Sequence, residues 1–364
     1  MSEFIVQMVQ IEKIVKHPNA DSLSICEVDG CPVIIKTTDF KEGDYGIYIP
    51  VEAMVPTEPK YFNFLCDPQH PKTIVRIKAK KLRGIFSMGL LIQIPSGLGK
   101  IELGQDLSKR LGITKWIEPE PGVQGKPKEK APWYKIALAW CKHPVRMFKY
   151  QILYPGGEVK DPGFMPVYDM ESLRKYRYVL QPKELVYVSE KIHGCNARYC
   201  FKNGKFYVGS HKSFKKKNPD SWWWKMAWKY DLENKLKKYP GIALYGEIYG
   251  KNVQDLNYGS PQELQMRTFD FYDTNRKCFL DYTEFKKLAD ELLVPRVPEL
   301  YVGPYSPEVV DPLADGKTTV PGATNIREGF VVKPVVERRA HVGRVIFKLV
   351  SETYLLRKNG TERQ

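Results

Sequence analysis

Glu190-Lys191-Ile192-His193-Gly194-Cys195-Asn196 is the stretch on which the fold turns. It lies between two segments of strand composition, Leu185 to Ser189 and Arg198 to Phe201. Lys-x-x-Gly spacing arises often by chance, and a lone lysine is usually a solvated surface group. A lysine that attacks phosphorus must first lose its proton, which burial or neighbouring cations promote. Gly194 would then let backbone approach a nucleotide closely.

What lies downstream changes the odds. Leu244-Tyr245-Gly246-Glu247-Ile248-Tyr249-Gly250 sets one carboxylate between two glycines, and Thr268-Phe269-Asp270-Phe271 offers an aromatic that could stack on a base. Glu328-Gly329-Phe330-Val331-Val332-Lys333-Pro334 separates a carboxylate from a lysine by an odd spacing, which places them on opposite faces of a regular strand. Ile346-Phe347-Lys348-Leu349-Val350-Ser351 adds a further lysine. In order, these segments supply a nucleophile, a stacking ring, two carboxylates for ribose or metal, and two cations for phosphate. Such an inventory suits nucleotidyl transfer through a covalent lysyl–nucleotide.

Taken together, the segments resemble motifs I, III, IIIa, IV and V of the covalent nucleotidyltransferases, the ATP-dependent ligases and mRNA capping enzymes. The form Glu-Lys-x-His-Gly-x-Asn and the segment Glu328 to Pro334 are similar to RNA ligases of the second phage type. His17-Pro18-Asn19-Ala20-Asp21, Arg76 to Gly84, and Phe347 to Leu356 resemble the fifth RNA ligase family, whose members carry an OB domain ahead of the catalytic one.

The resemblance implies a role for each residue. Lys191 would attack the α-phosphate of ATP. Glu190 would lie near the adenine edge, and His193, Gly194 and Asn196 would help hold the nucleotide or the 5′-phosphate. Glu247 would contact ribose or a metal, Phe269 would stack on adenine, and Asp270 would support its strand. Glu328 would bind Mg2+ or Mn2+, while Lys333 and Lys348 would neutralise phosphate charge. Two positions depart from the pattern. Ser210-His211-Lys212 stands where many ligases place an arginine, and either His211 or Lys212 could take its role. Val350 stands where motif V often has a second lysine. His193, where DNA ligases and capping enzymes usually carry Asp, favours an RNA ligase.

The rest of the chain reads as support. Residues 1–112 hold short strands punctuated by turn signals such as Asp29-Gly30 and Glu42-Gly43-Asp44, the pattern of a small OB-like β-barrel. Residues 113–150 are rich in proline, glycine and charge and read as a linker, with a short helix over Trp133 to Tyr150. Residues 151–364 alternate irregularly between strands and helices (Trp222 to Lys238, Tyr282 to Leu293). That order predicts an α+β domain on an antiparallel, ATP-grasp-like sheet. The 57 Lys and Arg against 42 Asp and Glu give a net charge of +15, which suits a polyanionic partner. No apolar run is long enough for a bilayer span, and Met1 to Gln10 lacks the pattern of a signal peptide. Seven scattered cysteines without a Cys-x-x-Cys pair point to a reducing intracellular compartment, the cytoplasm included.

Two basic features remain open. Phe214-Lys215-Lys216-Lys217 with Trp222 to Trp224 and Trp228 fits an RNA-stacking platform, but the spacing favours a helix with Trp224 and Trp228 packed inward. The turn Lys80-Lys81-Leu82-Arg83-Gly84 fits a nucleic-acid clamp and a solvated hairpin equally. The whole predicts a monomeric ATP-dependent RNA ligase that seals 3′-hydroxyl/5′-phosphate breaks, in RNA repair, in nicked duplexes containing RNA. A DNA ligase, a capping guanylyltransferase and an inactive RNA-binding OB protein are the alternatives.

Overall fold

The computed structural model describes residues 4–116 and 157–357, so the linker and the Trp133 to Tyr150 helix lie outside the described residues. Two compact units emerge. The first comprises residues 4–116 with 170–177 and 350–357, and the second 157–169 with 178–349. The sequence predicts two contiguous domains, 1–112 and 151–364, on either side of a linker.

Three small antiparallel sheets and a hairpin build the first unit. Tyr45–Ile49 sits between Gln7–Gln10 and Leu90–Ile92, and Leu23–Val28 between Ile14–Lys16 and Cys31–Lys36. Ala53–Pro56 sits between Ile74–Arg76 and Thr114–Lys115. Lys80–Leu82 pairs with Ile85–Ser87 in the basic hairpin. Strict alternation along Cys31–Lys36 buries Cys31, Val33 and Ile35 and turns the others outward, the period-2 pattern of a sheet with one covered face. Its core gathers Val6, Ile47, Ile49, Val55 and Phe62. Ile113 lies in it too, and Thr114–Lys115 pairs into a sheet, so the unit continues past residue 112.

In the second unit a seven-stranded antiparallel sheet runs in the order Glu158–Val159, Phe214–Lys215, Lys205–Ser210, Cys195–Lys202, Ile242–Gly250, Leu264–Asp273, Cys278–Phe279. A second sheet sets Phe347–Val350, Gly329–Pro334, Leu185–Glu190 and Glu299–Pro304 side by side. Tyr199, Leu244, Ile248, Met266 and Phe271 point from one face of the large sheet into a core closed by Trp223, Trp224, Leu236 and Phe285. The other face carries Asn196, Glu247 and Asp270, which leaves it for chemistry. With few helices on mostly antiparallel sheet, the unit is α+β.

The helix expected over Trp222 to Lys238 is two, Trp222–Lys229 and Leu232–Lys237, because Asp231 between them takes φ +51°. Trp223 and Trp224 are the buried pair, whereas Trp228 is exposed, so the expected inward pairing of 224 with 228 holds only for its first member. Tyr282–Glu291 begins at a capping box of Asp281 and Glu284. No helix among the described residues is long and apolar enough to cross a membrane.

Candidate active site

Strand pairing brings the motifs together. Glu190 ends its strand opposite Phe330, so Lys191 and Glu328 emerge at one end of the second sheet. The Lys191 N–H donates to the Gly329 carbonyl at 3.0 Å, and its Nζ donates to Glu328 Oε1 at 2.6 Å across 137 residues of sequence. Lys191 keeps 21% of its side chain exposed and Glu328 8%, so the pair opens on solvent through the lysine.

Gly194 is required by sterics within the fold itself. A Cβ there would lie 2.1 Å from the Ile248 carbonyl oxygen, so the glycine lets the nucleophile loop cross the Ile242–Gly250 strand. Its backbone also hydrogen-bonds Glu247. Glu247 stands directly across from Asn196 on one side and Arg267 on the other, so the three side chains share a face. Burial pushes the Glu247 carboxyl up to about 8; the Glu328 charge adds to this, and Lys191 opposes it.

Phe269 occupies a bulge: Tyr245 pairs with Asp270 and Gly246 with Thr268, leaving Phe269 without a partner. Such an extra residue re-aims its side chain. The ring is half-buried, 4.6 Å from Tyr168, and packs beside the cluster holding Ile192.

Glu190 is 1% exposed, and both its oxygens are taken. Oε1 accepts from Thr318 Oγ1 at 2.5 Å, and Oε2 from the Thr319 N–H at 2.7 Å and Thr319 Oγ1 at 2.8 Å. The carboxylate anchors the Thr318–Thr319 segment to the end of the Leu185–Glu190 strand. Thr318 and Thr319 carried no signal in the sequence.

Lys333, five residues on from Glu328, turns to the Asp270 carboxylate. It is 2% exposed; its Nζ lies 3.2 Å from both Asp270 oxygens and 3.1 Å from Glu337. Arg344 joins the same two carboxylates, and Tyr168 donates to Asp270 at 2.8 Å. Two cations and two anions balance there, and the two guanidinium and ammonium charges hold the Asp270 carboxyl below its usual range despite burial. Without nucleotide the Lys333 charge is balanced by Asp270 and Glu337. Asp270 does support its strand.

Lys348 is half-buried and shares its face of the Phe347–Val350 strand with Val350, while Phe347 and Leu349 point into the protein. His211 lies 3.6 Å from Asp169, and burial holds its imidazole below the ordinary value while the Asp169 charge opposes this. Lys212 is exposed. The guanidinium buried behind them is Arg198: it donates to the carbonyls of Ser210 (2.9 Å), His211 (3.2 Å) and Met165 (3.0 Å) and fixes this corner.

Hard oxygen donors suit Mg2+ or Mn2+. Glu328 Oε2 is buried without a hydrogen-bond partner, and the neighbouring Glu247 is a second carboxylate, so the residues present fit such an ion. Among the described residues no group of three or more His, Cys, Asp or Glu could hold a metal alone. The Asn196 Oδ1 is also buried and unpartnered.

Residues 184–350 match the family model described as RNA ligase. Residues 5–94 match that of an OB-fold domain. Three solved structures of Naegleria gruberi RNA ligase share the fold. A mutant with ATP and Mn matches at TM-score 0.76 and 22% identity, covering 97% of this chain and 98% of that one. A mutant with AMP and Mn matches at 0.76 and 21%, with the same coverage. The form with PPi matches at 0.74 and 22%, again covering 97% and 98%. No curated protein matches the sequence.

Proposed function

We propose that this chain, an RNA ligase domain behind an OB-fold domain, is an ATP-dependent RNA ligase that joins 3′-hydroxyl to 5′-phosphate ends through Lys191. The observation that carries the reading is the 2.6 Å contact of Lys191 with Glu328, beside a Glu247 carboxyl whose burial opposes ionisation. A half-buried lysine held against the buried Glu328 carboxylate leaves its amine open to an incoming substrate.

Bonded to Glu328, the lysine rests as an ammonium; attack requires loss of that proton. The neutral Nζ then forms a bond to the α-phosphorus of ATP, the α–β phosphoanhydride breaks, and pyrophosphate leaves. An oxygen of the 5′-phosphate end next displaces Lys191 from that phosphorus. Finally the 3′-hydroxyl attacks the activated 5′-phosphate, and AMP departs. Glu328 and Glu247 would hold Mg2+ or Mn2+, which would offset phosphate charge when bound. Phe269 would stack on adenine. Lys348, with His211 or Lys212 in place of the usual arginine, would offset phosphate charge. The Asn196 amide, its oxygen unpartnered, is available to substrate. Positioning and charge stabilisation supply most of the rate in such chemistry.

Incubation with α-labelled ATP and Mn2+, followed by denaturing electrophoresis, tests the reading. Wild type is expected to keep a covalent label and Lys191→Ala to lack it. A label from GTP instead would identify a capping activity, and no label an inactive RNA-binding protein. Nicked duplexes are the favoured substrate because an OB domain offers a second hold on the strand beside the break. Equal joining of free single strands would count against that, and equal sealing of DNA 3′-ends would favour a DNA ligase.

A further inference from the structure

We infer that residues 251–260 form a strap that positions the nucleophile loop, with Asp255 as its working residue, acting through His193 on Glu328 and Lys191. The inference rests on the reading of Lys191 as the nucleophile.

Three consecutive contacts tie the strap to residues 193 and 194. Gln254 Nε2 donates to the Gly194 carbonyl at 2.9 Å. The His193 N–H donates to the Tyr258 hydroxyl at 2.7 Å. His193 Nε2 lies 2.9 Å from Asp255 Oδ1, and a carboxylate only accepts, so the ring carries its proton there. That fixes the other nitrogen, Nδ1, facing Glu328 Oε2 at 3.8 Å. The imidazole is 3% exposed and so has little freedom to turn. Glu328 holds the Lys191 amine through its other oxygen. Asp255 thus orients a buried ring that packs beside the Glu328 carboxylate at 3.8 Å, without a hydrogen bond between them, and Glu328 in turn holds the nucleophilic nitrogen.

Backbone geometry points the same way. Tyr258 takes φ +50°, rare for a bulky aromatic, and yet is 2% exposed. Its ring packs edge-on against Tyr249 at 5.3 Å and joins Ile192, Val297 and Val320 in one cluster. Gly259 follows, where a Cβ would lie 2.8 Å from the Gly322 carbonyl. Such a conformation persists only where the surroundings hold it, and here it brings the hydroxyl to the His193 N–H. Asp255 and Tyr258 touch no reacting atom and are positioning residues.

The test measures the single-turnover rate of lysine labelling from ATP at saturating concentration, together with the ATP KM and the Tm. Asp255→Ala is expected to slow labelling about 10- to 100-fold, the scale of a misplaced reacting group, with KM little changed. Asp255→Asn keeps an oxygen for the His193 ring and is expected to recover most of the rate. In a His193→Ala background, Asp255→Ala is expected to cost nothing further. Wild-type labelling by Asp255→Ala overturns the strap, as does an equal loss in both backgrounds. Should Asp255→Ala fail to fold, Tyr258→Phe decides alone: it removes only the oxygen taking the His193 N–H, and an unchanged rate overturns the inference. Failure of wild type itself to label would instead refute the ligase reading, so the two are distinguishable.

Discussion

Glu247 is the residue whose environment makes the clearest demand on conditions. Its carboxyl titrates at about 8 in the folded chain against 4.5 when unfolded, chiefly because burial disfavours the anion. Below pH 4.5 both states hold the proton and the group costs nothing. As pH rises towards 8 the unfolded state ionises first, so stability falls across this window and levels off above it. Each unit of separation is worth about 1.4 kcal/mol, lessened by the solvent that still reaches the carboxyl. Without nucleotide or metal, the melting temperature should drop between pH 5 and 8, and Glu247→Gln should flatten that slope; parallel profiles for the two proteins would contradict it. At this scale the sequence disclosed residue types better than their duties. Lys191, Glu247 and Glu328 come together as their order suggested. Lys333 does not, because nothing in Glu328 to Pro334 announces Asp270 and Glu337 as its partners. Glu190 likewise has its oxygens filled by Thr318 and Thr319, which look like ordinary turn residues.

Among the elements, the Lys80–Leu82 and Ile85–Ser87 hairpin stands out for how it is held. His17 is 1% exposed and directs one ring nitrogen to the Leu82 carbonyl at 3.2 Å, while the other accepts the Asn19 N–H. Asn19 donates to the Arg83 carbonyl at 3.0 Å. A buried histidine thus fixes an exposed tip whose Lys80, Lys81 and Arg83 form no ion pair among the described residues. A phosphate-backbone contact and a solvated tip predict different salt dependences. Lys80→Glu with Lys81→Glu should weaken binding of an RNA duplex and lower the slope of log K against log salt by about 2, one per lost phosphate contact. Lysine labelling from ATP should be untouched; an unchanged slope would leave the hairpin as mere surface. Strand composition located these elements, and His17 to Asp21 and Arg76 to Gly84 stood out in the sequence without a hint that they touch. The bulge at Phe269 and the break at Asp231 were not legible, since each depends on one residue's dihedral angles or pairing.

Over the whole molecule, strand order gave away the α+β class and the OB-like start, because period-2 burial and turn residues are local signals. The assignment of Met170–Arg177 and Val350–Lys358 to the first unit is a matter of long-range contact, and no composition shift marks it. Lys175 pairs with Asp29 at 3.1 Å, and Gly30 packs so tightly on the Arg174 carbonyl that a Cβ would lie 2.3 Å from it. A truncation at residue 112 would therefore strip these segments of the surface they belong with. Leu173 and Tyr354, both buried in the full chain, are at risk of exposure, at about 1.5–3 kcal/mol for a large apolar side chain. A fragment of residues 113–364 should then melt several degrees lower, at about 2–4 °C per kcal/mol for its size, and bind more of a hydrophobic dye. A contiguous two-domain chain would instead release a fragment with the full-length transition and no added dye binding. Calorimetry of the two proteins side by side separates these outcomes, and it does so without reference to catalysis.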